Sequence, residues 1–316
     1  MTSTPRSPTL AEHLDQAEAS HAEHPAAAAA ALLALAPGLP ADADGARAMR
    51  LAEHVALAHL GDASALAALL AAVPPGLAQA DATAPTLQRL QWALAAVTGT
   101  PAPALPPDAQ RWRALQNVVL ALAAQQRWAE AHALLAADAQ AAQAHGAGEA
   151  AQAYAASANN VATELQTSGP PAGAPRDAAR DALMLQAATI ARRAWGHAGT
   201  WRHAERAEYR LALCHAAAGQ GDAAVRHALL CLAGCEAVGD EADAVEHFFA
   251  QEALARARHC AGDAAAAAAA RHRMAALLPQ IDAADGLRTW CAGVLADVSA
   301  DVSADVLADV LQGPPA

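Results

Sequence analysis

The sequence contains no lysine, and all 20 of its basic residues are arginine. The absence of lysine excludes a Schiff-base lysine and the Gly-Lys-[Ser/Thr] ending of a phosphate-binding loop. Aromatic residues are also scarce, because the 316 residues include only two phenylalanines and two tyrosines. So few aromatic side chains argue against a large β-sandwich or barrel, whose strands are enriched in aromatic and β-branched residues.

Long apolar runs and excess positive charge are missing too. No uncharged apolar run reaches the ~18 residues that a membrane-spanning helix needs. The formal net charge of −12 argues against nucleic acid and against an anionic membrane surface as partners. The apolar run at 26–37 follows acidic residues, whereas a secretory signal begins with a short positive segment. We therefore expect a cytoplasmic protein with neither a nucleic-acid nor a membrane partner.

Motifs for catalysis and cofactor binding are absent as well. The chain has no Gly-x-Gly-x-x-Gly, no Gly-x-Ser-x-Gly and, despite 14 histidines, no His-Glu-x-x-His. These motifs bind dinucleotides, expose a nucleophilic serine and bind zinc, respectively. The carboxylates are scattered in a way that is typical of solvated helix exteriors. We therefore predict a protein that is not an enzyme and that has no cofactor and no bound metal.

The abundance of alanine predicts an all-α fold. About a third of the chain is alanine, which loses no side-chain entropy in a helix. The helical segments are joined by short turns, so neighbouring helices must form antiparallel hairpins. We predict a disordered leader at 1–9, N-terminal helical hairpins at 10–98, a Pro-rich linker at 99–107, helical repeats at 108–280, a capping helix at 281–296 and a low-complexity Ala-Asp-Val-Ser tail at 297–316. Helix N-caps are predicted at Asp108, Thr200, Asp222, Asp240 and Asp263.

An internal repeat is the most informative pattern in the region 108–280. Taking Val118, Val161, Leu211 and Leu254 as one equivalent position gives spacings of 43, 50 and 43 residues. An insertion at 167–177 accounts for the longer spacing. Glycine recurs eight residues after two of these anchors and alanine recurs 13 residues after three of them, at Gly219, Gly262, Ala131, Ala224 and Ala267.

This pattern resembles the tetratricopeptide repeat, which has Leu-Gly/Ala in a first helix, Gly in the turn, Ala in a second helix and a closing Pro. The best copies are Leu211-Ala212…Gly219…Ala224…Cys231 and Leu254-Ala255…Gly262…Ala267…Pro279. The resemblance implies a solenoid of stacked α-α hairpins, a tetratricopeptide-like superhelix that follows the N-terminal helical region. Another kind of α-α hairpin bundle is the alternative, and in both folds stacking buries apolar faces that a single hairpin leaves exposed.

The resemblance also implies a groove that binds a partner. In tetratricopeptide arrays, the residues two and five before the leucine position and two after it face the concave surface. Carried over to this chain, the candidate partner-binding residues are Arg113, Gln116, Asn159, Thr163, Arg206, Tyr209, Phe249, Glu252 and Arg256. Their mixture of aromatic, amide and guanidinium groups suits an extended peptide, and it is also the composition of an ordinary solvated helix face. The leading prediction is a scaffold that binds a protein or peptide partner.

Two other functions are compatible with the sequence. His227, Cys231 and Cys235 follow one another at intervals of four residues on one helix, and Cys214 lies on the preceding antiparallel helix. Such nitrogen and sulfur ligands suit zinc or a thiol-responsive sensor, whereas burial of small apolar cysteines is the simpler interpretation. The second alternative is the regulatory module of a signalling assembly.

Overall fold

Helices form all the regular secondary structure in the part of the chain that the computed structural model describes, residues 9–169 and 176–312. The all-α prediction is therefore confirmed. The α-helices are α1 (Leu10–Ser20), α2 (Pro25–Leu35), α3 (Ala43–His54), α4 (Ala63–Ala72), α5 (Ala84–Thr98), α6 (Ala109–Ala124), α7 (Trp128–Ala137), α8 (Ala139–Ala144), α9 (Glu149–Thr167), α10 (Ala178–Ala198), α11 (Trp201–Ala217), α12 (Gly221–Val238), α13 (Ala244–Cys260), α14 (Ala264–Leu277) and α15 (Leu287–Gln312). Within these ranges no helix has the length and apolar character needed to cross a membrane.

The chain divides into two compact units, Met1–Ser157 and Ala158–Ala316, with the boundary inside α9. The Pro-rich segment 99–107, predicted as a linker, is not helical. It joins α5 to α6, which pack against each other within the first unit. Its prolines lack the backbone N–H and have a fixed φ, so they prevent a continuous helix without separating the two packed helices.

In the first unit α3 is the central helix, because α1, α2, α5 and α6 each pack against it. At its C-terminal end α3 continues into a π-helical turn, Val55–His59. The N–H of Leu60 donates to the carbonyl of Val55 at 3.1 Å, which is the i→i+5 bond of a π-helix. Met49, Val55 and Leu57 are fully buried along this continuous segment, so it forms the middle of the apolar core of this unit.

Asp138 separates α7 from α8. The carboxylate of Asp138 is buried and accepts hydrogen bonds from the Arg111 guanidinium at 2.8 Å and from the Trp112 indole N–H at 3.1 Å. Trp112 is completely buried. The break in the helix therefore brings an acceptor to an indole N–H that would otherwise be buried without a partner.

In the second unit, from α10 to α15, each helix packs against the next, and α11 also contacts α13 while α13 contacts α15. The turns after α11 and α13 contain Gly219 and Gly262, whose φ values of +63° and +76° lie in the left-handed region that favours glycine. Ala224 and Ala267, on the helices that follow these turns, are fully buried. Gly219 and Gly262 thus lie in turns, and Ala224 and Ala267 lie at buried positions of the helices that follow.

The two ends of the chain differ from the predicted boundaries. Thr9, the last residue of the predicted leader, is the N-cap of α1 and forms a capping box with Glu12, while residues 1–8 lie outside the described part. At the other end, α15 covers most of the predicted capping helix and continues through 297–312 of the predicted tail. The Ala-Asp-Val-Ser repeat contains no glycine or proline that would stop a helix, and residues 313–316 are again outside the described part.

Candidate partner-binding surface

Two of the nine candidate residues, Arg113 and Gln116, lie on α6 in the first unit. The side chain of Arg113 is 47% exposed and pairs with the more exposed Glu149 at 2.7 Å. Gln116 is partly buried. An ion pair between exposed side chains contributes little to stability, so a carboxylate of a partner can replace Glu149 at small cost.

Asn159 and Thr163 lie one turn apart on the part of α9 that belongs to the second unit. Both are partly buried. The hydroxyl of Thr163 donates to the backbone carbonyl of Asn159 at 2.9 Å. This bond to the preceding turn is the common local arrangement for a threonine inside a helix, so the Thr163 proton is already used within α9.

Four of the candidates meet in one cluster formed by α11 and α13. The ring of Tyr209 lies edge-on to that of Phe249, with centroids 5.9 Å apart. The hydroxyl of Tyr209 donates to one oxygen of Glu252 at 2.8 Å, and the other oxygen accepts from Arg256 at 2.8 Å. Burial, reinforced by the neighbouring carboxylate, raises the pKa of Tyr209 well above its usual value. The phenol therefore stays protonated and holds its ring in place as a hydrogen-bond donor.

The structure adds one residue that the repeat pattern missed. Trp290, on α15, is 59% exposed, and its ring centroid lies 5.1 Å from that of Phe249. Tyr209, Phe249 and Trp290 thus form a continuous series of rings from α11, α13 and α15, which we call the aromatic row. The signal in the sequence was a tryptophan in an aromatic-poor chain, but it lies beyond the region 108–280 in which the repeat was recognised.

Arg206 supplies a cation on the same helix as Tyr209. Its side chain is 68% exposed, and its guanidinium lies 3.7 Å from a carboxylate oxygen of Glu246. That oxygen accepts a shorter bond, of 3.1 Å, from Arg202. A charge-assisted hydrogen bond is usually 2.7–2.9 Å long, so Arg206 is held only loosely and is accessible to another carboxylate.

The residues of the sensor hypothesis do not converge on one point. Cys231 donates its thiol hydrogen to Glu205 at 2.8 Å, and His227 Nδ1 lies 2.7 Å from a carboxylate oxygen of Glu208. In the described ranges, one group of three possible metal ligands has its ligand atoms within 4.8 Å of one another, and it consists of histidines of the first unit. The cysteines and His227 therefore belong to separate polar contacts.

The thiols of this set are held in the protonated form. Burial raises the pKa of Cys214 and of Cys235 to about 12, and it raises the pKa of Cys231 further still. All three residues are fully buried. Because the thiolate is the nucleophile and the metal-binding form, this environment favours a packing role for the three cysteines.

Comparison of the chain with protein-family models, with curated proteins and with solved structures found no match. The class that the geometry defines is an all-α protein of packed helical hairpins, with an aromatic row on its second unit. Because no similar protein indicates a function, the function is inferred from the residues of the aromatic row.

Proposed function

We propose that this chain is a non-enzymatic cytoplasmic scaffold that binds a protein or peptide partner along the aromatic row. The observation that carries the proposal is the exposure of Trp290. This large aromatic side chain is mostly exposed, and its ring packs against that of Phe249. Phe249 and Tyr209 are partly buried, so Trp290 is the exposed end of the row, and exposed apolar patches are typical of interaction sites. Tryptophan is also among the residues that contribute most to binding at protein interfaces.

In this proposal the second unit is a tetratricopeptide-like stack of hairpins, and the aromatic row follows the first helix of each hairpin. The contacts of α11 with α13 and of α13 with α15 support this arrangement, because the repeats of a solenoid contact only their nearest neighbours. Each of these three helices contributes one ring of the row. An extended peptide lying across the helices would therefore meet a ring at every step.

The charges beside the row indicate what kind of peptide fits. Glu252 is buried, and its two oxygens are bonded to Tyr209 and Arg256, so it is not accessible to a ligand. Arg206 presents an exposed guanidinium. A peptide that places an apolar side chain on Trp290 and a carboxylate on Arg206 would use both available groups. The regulatory-module alternative uses the same surface and differs only in the partner.

The test uses peptides as the probe. Peptides selected from a random 12-residue display library on the full chain would be synthesised, and their Kd values measured for the wild type, Trp290→Ala and Arg206→Ala. Trp290→Ala is expected to weaken binding by about thirtyfold, the equivalent of the 2 kcal/mol that defines a hot spot. Arg206→Ala should weaken only those peptides that carry a carboxylate.

Leu230→Ala is the matched control, because Leu230 is an apolar side chain of the same unit with 49% exposure and lies outside the aromatic row. It is expected to leave the Kd unchanged. Far-UV circular dichroism should show the same helix content for all variants, since each changed side chain is exposed. Equal weakening by Leu230→Ala and Trp290→Ala, or none by Trp290→Ala, would show that the row is not the binding surface.

A further inference from the structure

Three histidines of the first unit approach one another with their ring nitrogens. His21 ends α1, His54 ends α3, and His59 lies in the π-helical turn. One ligand atom from each lies within 4.8 Å of those of the other two. The Nε2 atoms of His54 and His59 are 3.1 Å apart. In a tetrahedral site with Zn–N bonds of 2.0–2.1 Å, two nitrogen ligands are about 3.3–3.4 Å apart, so the observed spacing is close to that of a metal site.

The π-helical turn is what brings two of these rings together. Residues five apart in an α-helix point about 140° away from each other around the axis, because each residue turns the chain by about 100°. In the π-helical segment the bond from the Leu60 N–H to the Val55 carbonyl widens the turn, and positions five apart then lie closer to the same face of the helix. This aligns His54 with His59. Such π-helical turns are rare, and they are frequent at functional sites.

Two of the histidines have their other ring nitrogen occupied. Nδ1 of His21 lies 2.8 Å from the backbone carbonyl of Glu18, which can only accept, so that nitrogen carries the proton. Nδ1 of His54 lies 3.0 Å from the side-chain oxygen of Asn117. The Asn117 amide nitrogen donates to Glu53 at 2.8 Å, and this bond turns the amide oxygen towards His54. Both histidines therefore present Nε2 as a lone pair.

This arrangement is the one that metal-binding histidines require, since their second ring nitrogen usually donates to a carbonyl or carboxylate that fixes the ring. We propose that His21, His54 and His59 bind one Zn²⁺ ion, with the fourth coordination position open to water or to a ligand. Three imidazoles suit zinc and neighbouring transition metals. Magnesium and calcium prefer oxygen ligands and are not expected to bind. All three rings are partly exposed, which gives the ion a path of entry.

The experiment measures binding of the metal alone to the untagged full chain after removal of metals with a chelator. Cobalt(II) is the probe, because its visible absorption is strong in a four- or five-coordinate site and weak in water. One equivalent of Co²⁺ is expected to bind and to be displaced by Zn²⁺, with no response to Mg²⁺. Replacing His21 or His59 by Gln should each abolish the strong absorption. Asn117→Ala should weaken metal binding about 10- to 100-fold, because it releases the ring of His54.

His272→Gln is the control, since it removes an exposed histidine of the second unit and is expected to leave the absorption and the stoichiometry intact. Circular dichroism checks that each variant keeps its helices, and His21→Gln at the end of α1 provides a second test if His59→Gln perturbs the π-helical turn. Binding of less than one equivalent by the wild type, or equal binding by the triple variant of His21, His54 and His59, would overturn the proposal. Stoichiometric binding would replace the sequence-based expectation of a chain without metal.

Discussion

The two units of the molecule bury their carboxylates in different ways. In the first unit Glu53 is fully buried, and it accepts two hydrogen bonds from Arg89, at 2.7 and 3.0 Å, and a third from Asn117 at 2.8 Å. In the second unit Glu205 is also buried but accepts its hydrogen bond from an uncharged donor, the Cys231 thiol. Burial raises the pKa of Glu205 above its usual value. A guanidinium contacts the first carboxylate directly, whereas burial shifts the second towards the neutral acid.

The difference extends to how each unit is held together. Glu53, Arg89 and Asn117 come from α3, α5 and α6, so one polar network joins three helices and also positions His54. In the second unit the hairpins pack through small residues. A Cβ atom on Gly221 would lie 2.6 Å from the Cα of Ala261, in the turn between α13 and α14. The buried Glu53–Arg89 pair is therefore a feature of the core of the first unit, and the close approach of Gly221 to Ala261 is a feature of the packing between hairpins in the second.

The largest effect is expected from breaking the polar network of the first unit. Arg89→Met would leave Glu53 buried without its cation, and removing one partner of a buried ion pair costs about 3–5 kcal/mol. The measurement is hydrogen exchange as a function of urea, followed by mass spectrometry so that peptides from residues 1–157 and 158–316 are resolved. The decrease in the free energy of unfolding should appear in peptides from the first unit.

The double variant Glu53→Leu with Arg89→Met is the control for that prediction. Replacing both members of a buried pair by apolar residues of similar size is often nearly neutral, so most of the lost stability should return. A cost below about 1 kcal/mol for Arg89→Met alone would contradict the contrast between the units, because Glu53 would then not depend on its cation.

The regular part of the fold could be predicted from the sequence because its signals are local. Helix α11, at Trp201–Ala217, begins after the predicted cap Thr200 and ends before the turn glycine Gly219. Two of the predicted caps were wrong: Gln220, not Asp222, is the N-cap of α12, and Asp243, not Asp240, is the N-cap of α13. Asp243 can form a capping box with Glu246, and a 3₁₀ turn at Gly239–Glu241 occupies the position where Asp240 was expected to begin the helix.

The contacts between distant residues could not be predicted in this way. His21 and His54 meet only because α1 packs on α3, and the spacing of five between His54 and His59 is not one that an α-helix would align. No residue pattern in the sequence predicts the π-helical turn that aligns these two histidines. Trp290 joins Phe249 through the packing of α15 on α13, which the repeat register, ending near residue 280, did not cover.

A smaller effect is expected from disturbing the close packing of the second unit. Gly221→Ala places a methyl group against the backbone of Ala261, so the two turns must move apart, and overpacking of this kind costs about 1–3 kcal/mol. The matched control lies on the same helix. Gly234→Ala brings its Cβ no closer than 3.6 Å to the side chain of Glu205, and alanine is favoured over glycine in a helix by about 1 kcal/mol.

The pair is informative because the same substitution, glycine to alanine, should change the Tm in opposite directions at two positions of α12. Thermal unfolding monitored by circular dichroism should show a lower Tm for Gly221→Ala and a slightly higher Tm for Gly234→Ala. Two equal shifts would mean that the contact with Ala261 is relaxed in solution. The close approach of Gly221 to Ala261 would then not contribute to the stability of the second unit.

The smallest effect is expected at Glu205. Here the free energy of unfolding should depend on pH, and the sign of that dependence shows whether Glu205 is buried differently from Glu53. Because the pKa of Glu205 is raised on folding, its contribution to stability is fully present below the unfolded pKa of 4.5 and is lost as the pH rises through the folded pKa. Glu205→Gln has no such dependence and still offers an oxygen to the Cys231 thiol. Near pH 7 its free energy of unfolding should lie within about 1 kcal/mol of the wild type.

As the pH falls from neutrality towards 4.5, the wild type should gain stability relative to Glu205→Gln, and urea unfolding of both proteins across this range measures the difference. The corresponding variant of the first unit, Glu53→Gln, should instead be destabilised at neutral pH, because it leaves Arg89 buried without its anion. If the wild type loses stability relative to Glu205→Gln as the pH falls, Glu205 is held as an anion. The two units would then bury their carboxylates by the same means, and only their packing would distinguish them.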